Sequence, residues 1–150
     1  MTFSPAFART ILLGTLLAAG AAFAQAEATD PNAVMRQTTM KEIGGAMKVL
    51  GDMAGGKAAY DAPAAQAAKA KLIEAAGQIP TSFATEGAAD PASEAKPEIW
   101  TSWDDFLKDA ETLKTAAAAA DVSSADTIKA SMGAIGAACK DCHTEYRVMK

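Results

Sequence analysis

The only two cysteines and the only histidine of this 150-residue chain fall within five consecutive positions, Cys139, Cys142 and His143 in the run C-K-D-C-H, close to the C-terminus. Two thiols three residues apart on a helix share one face, so whatever they hold lies along one side of the last helix, and the rest of the chain must leave room beside it. Four chemistries use a C-x-x-C pair. A dithiol redox centre wants the pair at a helix start beside a parallel sheet. Structural zinc needs four ligands, and two cysteines and one histidine supply three. A disulfide between such close positions in a helix staples almost nothing. The fourth is covalent attachment of one haem, in which each thiol adds to a vinyl group and the adjacent imidazole binds the iron. The order Cys, Cys, His fits that reading best.

The surrounding sequence predicts helix and no sheet. Downstream of the first two dozen residues the chain is rich in Ala, Lys, Glu, Met and Leu, and β-branched residues are scattered. Four helices are expected. The first runs from about Pro31 to Met53, capped by Asp30 and ended by Gly55 and Gly56, with Met40, Ile43, Met47 and Leu50 alternating steps of three and four. The second begins near Pro63 and passes through Leu72, Ala76 and Ile79 to about Phe83, with Pro80 ending or kinking it. Residues 86–95 form the longest loop. The third helix starts at Pro97 and carries Trp100, Trp103, Phe106, Leu107, Ala110 and Leu113 into the run 116–120. Ser123 or Ser124 caps the fourth, where Ile128, Met132, Ile135, Cys139, Cys142 and Tyr146 keep the three-four spacing and turn both cysteines inward. Short loops between amphipathic helices predict an all-α, antiparallel up-down-up-down four-helix bundle with the cofactor between facing helices.

The N-terminal segment reads as a leader, not as part of that fold. Arg9 is the only charge before Ala24, the apolar run I-L-L-G-T-L-L-A-A-G-A-A-F follows it, and Ala22-Phe23-Ala24 is a small-x-small cleavage site. The run is shorter than the roughly 20 residues that cross a bilayer. The expected domains are a signal peptide over 1–24 and a mature domain over 25–150, with no membrane span after processing. Removing the leader leaves 126 residues with 13 basic and 18 acidic groups, a formal charge of −5. Such an acidic balance argues against nucleic acid and anionic membranes as partners.

Haem motifs of most small soluble cytochromes c lie near the N-terminus, whereas this one ends the chain. In that respect the sequence resembles class II cytochromes c, the cytochrome c-prime superfamily, over nearly the whole mature chain. The likeness rests on M-R-Q-T-T-M-K-E-I-G-G-A-M-K-V-L-G in the first helix, K-P-E-I-W opening the third, and I-G-A-A-C-K-D-C-H-T-E-Y-R in the fourth. The resemblance implies a four-helix bundle with haem c near one end, His143 as proximal ligand, and Met40 at the position of the distal side chain. One branch of the superfamily leaves the iron five-coordinate and binds nitric oxide or carbon monoxide. Another is low-spin and six-coordinate, with a Met sulfur from this position. Met35, Met47 and Met53 stand on the same helix as Met40, and helical Met at such spacing is usually core filler. With His143 the sole histidine, a second strong axial ligand must be another residue type, and a thioether is the usual choice.

Further residues follow from the same face. Gly44, four after Met40, costs about 1 kcal/mol of helix stability relative to Ala and opens space for the flat edge of a porphyrin. Plain tolerance at a solvent face is an equal reading for Gly45. Gly133 and Gly136, just before Cys139, allow close approach of a helix or the haem. Arg36, four before Met40, is a charge in an apolar seam. The resemblance implies that it pairs with a haem propionate, with a solvated arginine at a helix edge as the alternative. Arg147, four after His143, matches a second arginine of the superfamily on the proximal side, with a favourable charge at a helix C-terminus as its alternative. Trp100, Trp103, Phe106 and Tyr146 read as core.

No distal histidine and no acid-base pair suggests an enzyme. The expected function is that of a monohaem electron carrier in the periplasm of a Gram-negative bacterium, serving redox partner proteins as monomer or homodimer, with His143 and Met40 as axial ligands. The alternative is a five-coordinate gas-binding protein in which Met40 only crowds the distal pocket. A stress-linked or copper-linked helper with a structural haem is a remote third.

Overall fold

The computed structural model describes residues 27–148, so the expected leader lies outside the described residues. Helix α1 spans Pro31–Ala54. Asp30 starts it by accepting the backbone N–H groups of Asn32 and Ala33, both at 3.0 Å, with Pro31 at a first-turn position that has no donor to waste. It stops where Gly55 and Gly56 follow, Gly56 with φ of 70°. Helix α2 spans Ala62–Ser82 and is capped by Asp61, whose Oδ1 accepts Ala64 N–H at 2.8 Å. Pro80 lies in its last turn, and the helix ends two residues later.

The expected third helix is two helices. A short α3, Glu98–Thr101, is followed by α4, Trp103–Ala119, with Ser102 between them at φ −125°, ψ 44°. The break has a tertiary cause. Ile99 is buried in the core and the Trp100 indole N–H donates to the Phe83 carbonyl at 2.8 Å, while Phe106 packs on Phe83, Trp103 and Tyr146. The kink lets α3 lie on α5 while α4 runs along the bundle. Helix α5 spans Ala125–Tyr146, and Ser124 forms its capping box with Thr127, which decides between the two candidate serines.

The four long helices pack in a ring, α1 on α2, α2 on α4, α4 on α5 and α5 on α1, with no diagonal contact. That is a four-helix bundle. Among the described residues the only extended pairing is an isolated antiparallel bridge, Ala95 with Arg147. The core combines Leu50, Leu72, Ile99, Phe106, Ile128 and Ile135, all fully buried, with alanines such as Ala65, Ala75 and Ala117 that let helices approach closely. Each of those large side chains contributes about 1.5–3 kcal/mol by leaving water.

The two ends of the bundle differ. At one end Tyr60 Oη–H donates to Val122 O at 2.9 Å and Lys69 Nζ to Ala120 O at 2.7 Å, tying the loops down. At the other, the first half of α1 and the last turns of α5 stand apart around a cavity.

Candidate functional site

The cavity has a volume of about 860 Å³, within the roughly 300–1,000 Å³ of small-molecule and cofactor sites. Helix α1 contributes Arg36, Met40, Gly44 and Met47 to it, and α5 contributes Gly136, Cys139, Cys142 and His143. Residues four apart on each helix point the same way, so the C-K-D-C-H turn and the Met40 turn open into one space. Cys139, Cys142, His143, Met40, Arg36, Gly44 and Arg147, each assigned a place at the site by the sequence, all line this cavity. Phe83, Ile99, Phe106 and Tyr146 form its apolar floor, whereas Trp100 and Trp103 pack outside it.

Both cysteines are half-buried free thiols packed against the core. Burial pushes the Cys139 thiol up, and Cys142 is pushed up to about 12 by burial first, then by the charges of Asp109 and Cys139. Such thiols stay protonated at neutral pH, the opposite of the low-pKa thiolate of a dithiol redox centre. His143 is shifted towards the neutral imidazole, by burial first and then by Arg147, against a smaller opposing pull from Glu94. A neutral imidazole is the form that binds a metal. No group of three or more His, Cys, Asp or Glu among the described residues is arranged to hold a bare metal ion.

Gly44 and Gly136 face the cavity from adjacent helices, and a Cβ built on either meets nothing within 4 Å. Two neighbouring walls are therefore free of side chain, as a flat ring system requires. Gly45 lies outside the lining and is exposed. Gly133 also lies outside it, and a Cβ there touches no other helix, so close helix packing does not explain it.

Arg36 is only 5% exposed, which removes the solvated reading. One nitrogen, Nη1, donates to the carbonyls of Thr85 at 3.0 Å and Glu86 at 2.9 Å, and the guanidinium lies 5.8 Å from the Phe83 ring centre and 5.3 Å from that of Trp100. Its Nε is buried without a partner. The side chain pins the loop after α2. Arg147 is the C-cap of α5, and its guanidinium pairs with Glu94 at 2.6 Å. Sequence reasoning missed Glu94, Gln37 and the wall 91–95. Residues 91–95 belong to a polar loop with no periodicity, and only hydrogen bonds formed in the folded chain bring that loop to the site.

A helical bundle with a C-x-x-C-H turn opening into a cofactor-sized end cavity defines a haem-binding four-helix protein. The family model of cytochrome c′ matches residues 32–147, and the chain belongs to that family. Cytochrome c-556 of Agrobacterium tumefaciens (strain apple 185) is 34% identical over 119 residues, covering 77% of this chain and 93% of the relative. A structure of oxidised cytochrome c556 from Rhodopseudomonas palustris superposes with a TM-score of 0.72 at 30% identity, covering 80% of this chain and 98% of the other. A cytochrome c prime from Alcaligenes xylosoxidans with bound nitric oxide gives 0.68 at 25% identity, covering 79% and 94%. The family is one of c-type cytochromes, and its cofactor is covalently attached haem c. The residues around the cavity fit that group: two protonated thiols, a neutral imidazole, two glycine faces and a guanidinium.

Proposed function

We propose that this chain is an exported monohaem cytochrome that carries electrons, its haem c held by thioethers from Cys139 and Cys142 and its iron bound by His143 and Met40. The observation that carries the reading is the opening of Met40 on α1 and of His143 on α5 into one cavity with both cysteines. Bound there, the haem supplies a one-electron couple at its iron. The chain's own residues do the rest. Cys139 and Cys142 would hold the ring through two thioether bonds. His143 would offer a neutral nitrogen to the iron, and Met40 would offer its thioether sulfur. A Met–His pair favours reduced iron and raises the potential into a carrier's range. Phe83, Ile99, Phe106 and Tyr146 exclude water, and the Arg36 guanidinium, on the cavity lining, would be the donor for a propionate. Likeness to cytochromes c-556 supports the six-coordinate, low-spin branch.

The leader over 1–24 and the acidic mature domain over 25–150 support a periplasmic carrier serving protein redox partners. No described helix is long and apolar enough to cross a membrane. A second reading, a five-coordinate gas-binding protein, draws on the nitric oxide complex of the Alcaligenes relative. The absorption spectrum of the oxidised holoprotein separates the two. Met40 ligation gives a low-spin spectrum with a weak sulfur-to-iron band in the far red, which Met40→Ala abolishes. A high-spin spectrum with ready carbon monoxide binding in the unmutated protein refutes the carrier assignment.

A further inference from the structure

Residues 83–97 join α2 to α3, and Pro91, Ala92, Ser93, Glu94 and Ala95 from this strap form one wall of the cavity. The strap is fastened along its length. Asp90 Oδ2 accepts the N–H groups of Thr29 at 2.7 Å and Asp30 at 2.9 Å, and Gln37 Nε2 donates to Ala92 O at 3.1 Å. Beyond these, Val148 N–H donates to Glu94 O at 2.8 Å, and Ala95 bridges to Arg147. Of the five wall residues, Glu94 alone is charged. Its side chain is 20% exposed, and its Oε2 accepts from both Arg147 Nε at 2.7 Å and Nη2 at 2.6 Å.

This pair stands beside the candidate iron ligand. The Arg147 N–H donates to the His143 carbonyl at 3.1 Å, and both side chains line the same cavity as the imidazole. We propose that Glu94 is a positioning residue for the haem iron: it fixes the Arg147 guanidinium against the strap and cancels its charge beside His143, and so sets the reduction potential.

The inference rests on the haem assignment at Cys139, Cys142 and His143. Its physical basis is that a charge in a partly desolvated site is poorly screened, and an uncompensated cation there favours iron(II) over iron(III). Replacing Glu94 by its neutral isostere leaves the cation of Arg147 unbalanced and raises the potential. Removing the cation leaves the carboxylate unbalanced and lowers it. A strap that merely loosened and admitted water would move both variants the same way.

The test is a spectroelectrochemical titration of the holoprotein as wild type, Glu94→Gln, Glu94→Asp and Arg147→Gln. Glu94→Gln is expected to shift the redox equilibrium about tenfold towards the reduced form, about 59 mV for a one-electron couple. Arg147→Gln shifts it in the opposite direction, and Glu94→Asp, which keeps the charge, stays within about twofold of wild type. A Glu94→Gln potential within twofold of wild type, or shifts of the same sign in Glu94→Gln and Arg147→Gln, overturns the proposal. Where Glu94→Gln fails to mature with haem, Arg147→Gln decides, and a potential that does not fall overturns it. Mass spectrometry separates the two levels of failure. A wild-type chain without haem on Cys139 and Cys142 overturns the function, whereas a fully loaded variant with an unmoved potential overturns only the role of Glu94.

Discussion

Arg36 offers a measurable test of how this bundle holds its loop, because its guanidinium is charged, buried and only partly satisfied. Replacing it with Met keeps an unbranched side chain of similar reach and removes the charge. Two charge-assisted hydrogen bonds to the Thr85 and Glu86 carbonyls are lost, each about 1.5–3 kcal/mol, although both residues are exposed and their carbonyls regain water. Stacking of the cation near Phe83 and Trp100 adds about 0.5–2 kcal/mol. Against these losses, Met leaves no buried unpartnered Nε, which relieves about 1–3 kcal/mol. The net expectation, before any bond to a propionate is counted, is a loss of about 3 kcal/mol, which lowers the urea midpoint by about 1–2 M for a domain of this size. Arg36→Lys keeps the charge without the planar fork and recovers about half of the loss. Amide exchange across residues 84–95 should quicken in Arg36→Met and not in the far loop at 120–124. An unchanged or higher midpoint for Arg36→Met refutes the claim that this arginine pins the strap.

Three further outcomes follow from the same packing. Thr39 and Ser82 hydroxyls lie 2.6 Å apart between α1 and α2, both buried, so Thr39→Val or Ser82→Ala alone costs about 1–3 kcal/mol by stranding its partner. The double variant costs clearly less than the sum, and a double-mutant cycle by chemical denaturation reads the difference. Gly87→Ala should destabilise by about 1–3 kcal/mol, since φ is 79° and a Cβ would stand 2.5 Å from Asp30 Oδ1; faster exchange of the Ala88 amide, which donates to Asp30 Oδ2, would mark the site of damage. Asp90 is held at about 2, below its ordinary 3.8, chiefly by the N–H groups of Asp30, Thr29 and Ala92. A depressed carboxyl contributes stability that is complete above pH 3.8 and is lost as pH falls towards 2, so Asp90→Asn should flatten the stability profile across that window.

The bundle was legible because its determinants are local. The three-four spacing of Ile43 and Leu50, and of Ile128 and Ile135, the caps at Asp30 and Ser124, and the glycines at 55 and 56 each act within one helix or at its end. The haem motif was equally legible, since Cys139, Cys142 and His143 are adjacent in sequence and a helix carries their spacing directly into space. Three features were not. The break at Ser102 answers to Trp100 and Phe106 packing on Phe83, a residue of another segment. Arg36 had a solvated alternative until the carbonyls of Thr85 and Glu86, some fifty positions away, met it.

Glu94 is the clearest case. In sequence it is one acid in a polar loop, indistinguishable from Glu86. Its place at the cavity wall depends on hydrogen bonds to α1 and to the C-terminus that exist only when both ends of the chain have come together. The sequence by itself determined that helices form, which faces they bury and that a C-x-x-C-H turn lies on the last of them, because those properties are set by neighbours within a few residues. The tertiary structure alone decided which charges surround that turn, because partners such as Glu94 and Arg147 are fifty-three positions apart and share no local signal.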